Sequence, residues 1–336
     1  MNPSFSHKLQ VAIQNDVPFV LFRFPDESTI QLNVQDDSGK NRFLLHAFDS
    51  TIEKSISDAD PIQILQSEFQ FDSKLDLKHQ EWEDSISKEN YEQLIQKTID
   101  EIKGSAIQKI VISRKKMMEN KGFDLFQTFK NLLEQHPRAL VYFWNRPGED
   151  TWIGATPELL LQQSGNQVQT VSLAGTKRPE KDWTEKEIEE QQFVTDFIAH
   201  EFSDFKNLKI SGPETVQAGK FQHLKSYISA EISESFDLNL LLKNLHPTPA
   251  VCGLPKKEAF DFILKNEGHD RGFYSGYIGI ERENSKTYFV NLRSAAFFQN
   301  QIQIYVGGGI TAESNPEKEW EETELKSGTI ANALAQ

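Results

Sequence analysis

The sequence predicts an α+β fold in which antiparallel sheets are covered by helices. Apolar segments of strand length recur in pairs that short polar turns join, which is the pattern of β-hairpins. Amphipathic helical segments, with apolar residues every three or four positions, lie between these hairpins. No internal repeat and no linker is visible. We therefore expect residues 1–336 to form a single domain.

The first 90 residues carry strand candidates but no motif, and we interpret them as scaffold. Pro18–Phe24 and Phe43–Phe48 are the two dense apolar segments of this part. The polar stretch from Asp49 to Asn90 contains only scattered apolar anchors. Residues 91–335 are the predicted motif-bearing, catalytic region.

From Tyr91 onwards the periodicities sharpen. Apolar residues at helical spacing predict a helix that ends at Gly104. Lys109–Arg114 is rich in β-branched residues, which favours a buried strand. A helix over Phe123–Leu133 should end near the following proline, Pro137. Two hairpins are predicted next, Ala139–Trp144 with Trp152–Gly154 and Leu159–Gln163 with Gln167–Leu173.

The second half of the chain begins with an acidic helix and ends with another. The first starts at Thr184 and runs past Phe197, with an apolar stripe expected from Phe193, Phe197 and Ile198. The last helix begins near Pro316. Between them, three strands are predicted to form an antiparallel meander, namely Tyr274–Glu281, Thr287–Phe298 and Gln301–Val306.

Composition narrows the class of protein. The chain has 36 Lys and Arg against 50 Asp and Glu, a net charge of −14, which argues against binding to nucleic acid or to an anionic membrane. Its single cysteine, Cys252, excludes an intramolecular disulfide and a cysteine-based metal site. The first residues lack the basic-then-apolar order of a signal peptide. We expect a cytoplasmic protein that acts on a small molecule and needs no protein partner.

Two acidic helix starts are the strongest local signal. Glu187 and Glu190 are three residues apart, as are Glu319 and Glu322, so each pair shares one helix face. Two such faces brought together would supply the oxygen ligands that Mg²⁺ prefers. The alternative is purely structural, because Thr184 with Glu187 fits a capping box and acidic residues favour helix N-termini.

A glycine run, Gly307–Gly309, follows a strand and formally resembles a dinucleotide-binding turn. That interpretation fails because Asn315-Pro316 delays the helix and only 24 residues follow Ala312, too few for a βαβ unit. Backbone amides that approach an anionic group are the functional alternative, and a plain turn is the structural one.

Single residues add further candidates. Lys109 opens an apolar strand and would be a base if it is desolvated, whereas a lysine at a strand end is more often solvated. Glu158 follows a strand–loop junction and could be a proton donor or an ordinary loop carboxylate. Arg293 lies among apolar neighbours and needs an anionic partner from the protein or a substrate. His223 and Cys252 are weaker candidates.

Taken in order, these segments resemble the chorismate-utilising enzymes, which include isochorismate, salicylate, anthranilate and aminodeoxychorismate synthases. The matching segments are KIVISR at Lys109, IGATPELL at Ile153, LAGT at Leu173, KEIEEQ at Lys186, HL at His223, LHPTPAVCGLPK at Leu245, RGFYSGYIG at Arg271, NLRSA at Asn291, and VGGGI with NPEKEWEETELK towards the end. The resemblance covers about residues 90–335 and implies sheets layered face to face, with Mg²⁺ in the cleft.

The resemblance also implies roles for individual residues. The four glutamates match a Mg²⁺ site that holds the ring carboxylate of chorismate. Tyr274, Arg293 and the Gly307 backbone match the side that holds the enolpyruvyl carboxylate. The remaining pocket positions match Lys326, His223 and the turn with Gly175 and Thr176.

Within the family, the resemblance favours isochorismate synthase. By this resemblance, the position of Lys109 is a lysine in the other family members and a glutamine in anthranilate synthase. Ala250 stands where pyruvate-releasing members typically carry threonine. Lys109 would then take a proton from the water that attacks C2, and Glu158 would protonate the departing C4 hydroxyl. The alternatives are a pyruvate-releasing lyase of the salicylate or aminodeoxychorismate type and a non-catalytic binding protein. One departure is Ile188 and Gln191, where related enzymes carry a basic residue and histidine.

Overall fold

Seven helices surround two antiparallel sheets in the described part of the chain. The computed structural model describes residues 3–36, 39–218, 221–233 and 235–335. The helices are α1 (Pro3–Gln14), α2 (Lys88–Gly104), α3 (Leu125–Gln135), α4 (Glu185–Glu201), α5 (Leu238–Leu245), α6 (Lys256–Asn266) and α7 (Pro316–Ala331). The strands are β1 (Phe19–Arg23), β2 (Thr29–Val34), β3 (Asn41–His46), β4 (Glu53–Asp58), β5 (Ile62–Leu65), β6 (Lys109–Glu119), β7 (Leu140–Asn145), β8 (Thr151–Thr156), β9 (Leu159–Ser164), β10 (Gln167–Lys177), β11 (Lys206–Ala218), β12 (Phe221–Glu231), β13 (Gly253–Leu254), β14 (Tyr277–Arg282), β15 (Ser285–Val290), β16 (Ser294–Phe297) and β17 (Gln301–Ile310).

The strands of these described segments form two sheets. Sheet A has the order β13-β6-β17-β16-β8-β7-β1-β2-β5, and sheet B has the order β11-β12-β10-β9-β15-β14-β3-β4. Neighbouring strands are antiparallel in both sheets. The predicted α+β class with antiparallel sheets is therefore confirmed.

The two sheets lie face to face over an aromatic core. Successive residues of a strand point to opposite sides of a sheet, so β1 contributes Val20 and Phe22 to one side and Phe19 and Leu21 to the other. Val20 and Phe22 pack with Phe43 and Ile278 of sheet B, among other residues. Strands of this kind are buried on both faces, which explains the unbroken apolar run that predicted β1.

Helices cover the outer faces. α1 and α3 pack on sheet A, α4 and α5 pack on sheet B, and α2 and α6 cover the end of sheet A where β6 begins. The result is a four-layer arrangement with the two sheets face to face in the middle, as the resemblance implied. Among the helices of the described segments, none combines the length and the hydropathy that a membrane-spanning helix requires.

The predicted strand Thr287–Phe298 is wrong as a single element. The chain forms β15 in sheet B, crosses to sheet A, and continues as β16. Arg293, at the crossing, has a φ of 49°, in the left-handed region and outside the extended conformation of a regular strand. The three predicted strands are therefore not a meander, because β14–β15 and β16–β17 are hairpins in different sheets.

The expected apolar stripe of α4 is also partly wrong. Phe193 is 46% exposed, and the buried face of the helix is formed by Gln191, Val194, Thr195 and Ile198. The buried face could not be recognised from apolar spacing, because two of its four residues, Gln191 and Thr195, are polar. The long hairpin of β11 and β12 was not predicted either, because polar residues and the Gly212-Pro213 pair interrupt its alternation.

Candidate active site

A cavity of about 840 Å³ is lined by residues of both sheets together with residues of α4 and α7. Thirteen of the fourteen predicted site residues line it, namely Lys109, Glu158, Gly175, Glu187, Glu190, His223, Ala250, Tyr274, Arg293, Gly307, Glu319, Glu322 and Lys326. The side chain of Thr176 lies outside the described residues, although its backbone pairs with His223 in sheet B. The fold thus brings distant motifs of the chain to one place.

Two of the cavity residues stand where the chain crosses between the sheets. Glu158 connects β8 of sheet A to β9 of sheet B, and Arg293 connects β15 to β16. The crossings are tied together, because Val290 N–H donates to the carbonyl of Glu158 (2.9 Å) and Ala155 N–H to that of Arg293 (3.1 Å). Loops held this way can present side chains from a rigid scaffold.

The charges at these crossings influence each other. Burial raises the pKa of Glu158 to about 7, and the positive charges of Lys109 and Arg293 oppose that rise. Burial also lowers the pKa of Arg293, which the carboxylate of Glu158 partly offsets. A carboxyl group that keeps its proton near neutral pH can serve as a general acid.

Lys109 reaches into the cavity over the glycine strand. β6 and β17 pair with Val111 opposite Gly309. A Cβ atom added to Gly309 would lie 2.6 Å from Lys109 Cε and 3.2 Å from Nζ, so the absence of a side chain there makes room for the lysine. The Nζ atom of Lys109 makes no hydrogen bond within the described segments and stays available to a ligand in the cavity.

The acidic face of α7 packs on the same glycines. Asn315 caps the helix by accepting from Lys318 N–H (3.1 Å). Glu319 Oε1 accepts from Ser314 Oγ (2.8 Å), and a Cβ on Gly308 would lie 2.9 Å from Glu319 Oε2. The glycines therefore allow the side chains of Glu319 and Lys109 to lie close to the backbone of β17.

Glu322 and Lys326 form the neighbouring charged pair. Their Oε1 and Nζ atoms are 2.7 Å apart, and Lys326 also donates to the carbonyl of Gly307 (2.9 Å). The charge of Lys326 lowers the pKa of Glu322, with smaller contributions from His223 and Lys109. Glu322 is thus ionised and faces the same space as the predicted base.

On α4 the capping box is present. Thr184 N–H donates to Glu187 Oε2 (3.0 Å), and the Thr184 hydroxyl contacts the same oxygen. The structural alternative for Glu187 therefore holds, while its side chain still lines the cavity. Glu190, one turn further along, lines the cavity as well.

These glutamates do not form a preformed metal cage. Within the segments that the structure describes, no three Asp, Glu, His or Cys side chains are grouped to hold an ion. Mg²⁺ rarely needs such a cage, because it keeps several waters and binds through one or two carboxylates together with substrate oxygens. The all-carboxylate donor set fits an ion of this kind held jointly with an anionic ligand.

The other predicted residues complete the wall. His223 Nδ1 lies 3.1 Å from the carbonyl of Gly175 and donates to it, which directs Nε2 away from that backbone. Burial lowers the pKa of His223, so the neutral ring is favoured. The ring of Tyr274 is buried and stacks on Tyr305 (centroids 5.5 Å apart), while Ala250 exposes only a methyl group to the cavity.

The sequence did not reveal one ion pair that supports the site. Arg271 forms a buried ion pair with Glu267 (2.6 Å), and its guanidinium donates to the carbonyls of Val251 (2.9 Å) and Val111 (2.8 Å). It joins the loop of Ala250 to the strand of Lys109. The motif at Arg271 was noted, but nothing local reveals a partner on another strand.

Comparison with known proteins identifies the class. The profile described as "Chorismate binding enzyme" matches residues 26–335. The chain therefore belongs to the chorismate-binding enzymes, and the resemblance predicted from its motifs is confirmed.

Individual relatives refine this result. The chain is 28% identical over 257 residues to the isochorismate synthase MenF of Haemophilus influenzae, across 72% of this chain and 60% of that protein. It therefore spans less than two thirds of that relative's length. A crystal structure titled putative 2,3-dihydroxybenzoate-specific isochorismate synthase, DhbC, from Bacillus anthracis shares 25% identity with a TM-score of 0.80, covering 98% of this chain and 99% of that one. Anthranilate synthase component I from Streptococcus pneumoniae, at 18% identity, has a TM-score of 0.74 over 93% of this chain and 89% of its own, which shows a common fold.

Proposed function

We propose that the protein is an isochorismate synthase, which converts chorismate to isochorismate. The observation that carries this proposal is the placement of Lys109 and Glu158 in one cavity with Arg293 and the acidic faces of α4 and α7. Isochorismate synthases among the relatives and solved structures support the same assignment.

The reaction exchanges one hydroxyl group for another. Lys109 accepts a proton from water, and the oxygen of that water bonds to ring C2. The ring double bonds shift, the bond from C4 to its hydroxyl breaks, and Glu158 donates the proton with which that hydroxyl leaves as water. Water is consumed and released in equal amounts, and the proton then passes from Lys109 back to Glu158 through solvent. One base and one acid with well-separated environments suit this exchange.

Binding of the substrate would use the remaining charges. The guanidinium of Arg293 donates no hydrogen bond within the described segments, so it can pair with a carboxylate of chorismate. Glu187, Glu190, Glu319 and Glu322 are the proposed ligands of Mg²⁺, which would neutralise the other carboxylate and orient the ring. The small side chain of Ala250 favours the isomerase over a pyruvate-releasing lyase, by the resemblance described above.

Product analysis tests the proposal directly. Purified protein is incubated with chorismate, with Mg²⁺ or with EDTA, and the products are separated by chromatography. We expect isochorismate only with Mg²⁺, and neither pyruvate nor salicylate. Pyruvate together with an aromatic product would assign the protein to the lyases, and isochorismate formed in EDTA would remove Mg²⁺ from the proposal.

Variants test the two catalytic assignments. Lys109→Ala and Glu158→Gln should each lower kcat by about 10²–10⁴-fold, the usual contribution of a general base or acid. Lys243→Ala is the matched control, because Lys243 is exposed on α5 and does not line the cavity. Near-normal activity of either cavity variant would refute that residue's role.

A further inference from the structure

The strand β10 has an unusual outer edge beside α4. Its neighbour β9 pairs with it only through Gln167–Gln169, although β10 continues to Lys177. On its other side β10 pairs with β12, and the register shifts by one residue at Gly175, which bulges with a φ of 68°. The peptide groups of Ser172 and Ala174 therefore face α4 instead of another strand.

The side-chain amide of Gln191 takes the place of the missing strand. Gln191 is 2% exposed. Its Oε1 accepts from Ala174 N–H (2.8 Å), and its Nε2 donates to the carbonyl of Ser172 (3.1 Å). Nε2 also lies 2.9 Å from Ser172 Oγ and 3.2 Å from Ser226 Oγ. An acceptor and a donor on one side chain thus satisfy two buried backbone groups of β10.

These bonds fix the part of β10 that shapes the cavity. Gly175 directly follows Ala174, and a Cβ added to it would lie 2.9 Å from the carbonyl oxygen of Glu187 in the first turn of α4. The carbonyl of Gly175 is also the partner of His223 Nδ1. One bulged residue therefore connects the first turn of α4 to the orientation of the histidine.

We propose that Gln191 is a positioning residue that holds His223 and the carboxylates of α4 in the orientation in which they contact the substrate. The role requires one donor and one acceptor in fixed places, which a carboxamide supplies and a protonated carboxyl group of the same length can reproduce. The inference rests on the proposed function for its catalytic consequence, but the hydrogen bonds can be tested independently of any activity.

The decisive variants are Gln191→Glu and Gln191→Met, which have nearly the same length. At alkaline pH the buried glutamate is ionised, accepts from Ala174 N–H and repels the carbonyl of Ser172. When the pH falls below its pKa, which burial raises, the carboxyl group regains a donor and resembles glutamine. Methionine can make neither bond at any pH.

The measurement is kcat/KM for chorismate relative to wild type between pH 5.5 and 8.5. We expect Gln191→Glu to lose about 10–100-fold at high pH, as for other residues that orient a ligand, and to recover most of it at low pH. Gln191→Met should stay low throughout. A ratio for Gln191→Glu that stays low at every pH, or wild-type activity in Gln191→Met, would overturn the proposal.

Amide hydrogen exchange over residues 172–176 supplies the readout without activity. The Ala174 amide should exchange faster in Gln191→Met than in wild type, because its buried acceptor is lost. Unchanged exchange would refute the hydrogen-bonding role even if the enzyme is active. Wild-type protein that makes no isochorismate would instead refute the proposed function, while the exchange result would still stand.

Discussion

Glu158 is a carboxyl group whose protonation is set by its surroundings. Burial holds its pKa near 7, well above the usual value, although Lys109 and Arg293 favour the ionised form. The proposed reaction uses the protonated form as an acid. Activity should therefore depend on pH in a range where an ordinary glutamate is fully ionised.

We predict that the slope of log(kcat/KM) against pH decreases near pH 7, the pKa of Glu158, because the fraction of enzyme with a protonated acid declines above it. Initial rates of isochorismate formation between pH 5.5 and 9 at constant ionic strength measure this change of slope. Because kcat/KM reports the free enzyme, the pKa of the unliganded site applies. The residual activity of Glu158→Gln should lack the change of slope near pH 7, and a change that persists in this variant would assign the titration to another group.

At the scale of elements, the position of α7 depends on Arg114 of β6. The buried guanidinium donates from Nε to Thr323 Oγ1 (2.9 Å), pairs with Glu324 and lies 3.9 Å from the centre of the Trp320 ring. All three partners are on α7, the helix that carries Glu319. The same strand thus provides Lys109 and anchors the helix of the α7 glutamates.

Arg114→Met should lower the free energy of unfolding by about 2–3 kcal/mol, since the buried guanidinium loses its hydrogen bond to Thr323 and its contact with the Trp320 ring, while Glu324 keeps Lys116 as a partner. Denaturant titration measures the change. Lys116→Met is the matched control, because Lys116 pairs with the same Glu324 carboxylate (2.7 Å) from a partly exposed position. We expect about 0–1 kcal/mol for it, and equal losses in the two variants would contradict the anchoring role of Arg114.

Local sequence patterns predicted those elements well that stay within a single sheet or bury an apolar face. β6 and α2 followed from β-branched residues and helical spacing, with observed bounds of Lys109–Glu119 and Lys88–Gly104. The strand through Arg293 failed, because an apolar run does not reveal that the chain changes sheets. The buried face of α4 failed for a different reason, since Gln191 is polar and its partners lie on β10 and β12.

The candidate site was predictable mainly through its motifs. Spacing alone placed Glu187 and Glu190 on one helix face but could not separate a capping box from a ligand pair, and the structure shows the capping box. The remaining site residues were predicted from the resemblance to the family, which rests on the order of the motifs. What no local pattern contains is the support, such as Arg271 and its bonds to two separate backbone segments.

At the scale of the whole molecule, the site exists because the chain crosses between the two sheets at Arg293. The crossing is held in place by the side chain of Asn291, two residues before the arginine. Its Nδ2 donates to the carbonyl of Phe273 (2.9 Å), and its Oδ1 accepts from the hydroxyl of Tyr142 (2.9 Å). Arg293 itself has a φ of 49°, a conformation that costs an L-residue about 1–2 kcal/mol relative to glycine.

The pair Arg293→Ala and Arg293→Gly separates the cost of this backbone from the function of the charge. Both lose the guanidinium, so both should raise the KM for chorismate by about 10–100-fold, the value of a hydrogen bond to a charged group. Denaturant titration should find the glycine variant more stable than the alanine variant by about 1 kcal/mol, because glycine adopts the left-handed conformation freely. An unchanged KM would remove Arg293 from substrate binding. Greater stability of the alanine variant would mean that the crossing does not hold its backbone in the left-handed region, and the link between the site and the sheet crossing would then fail.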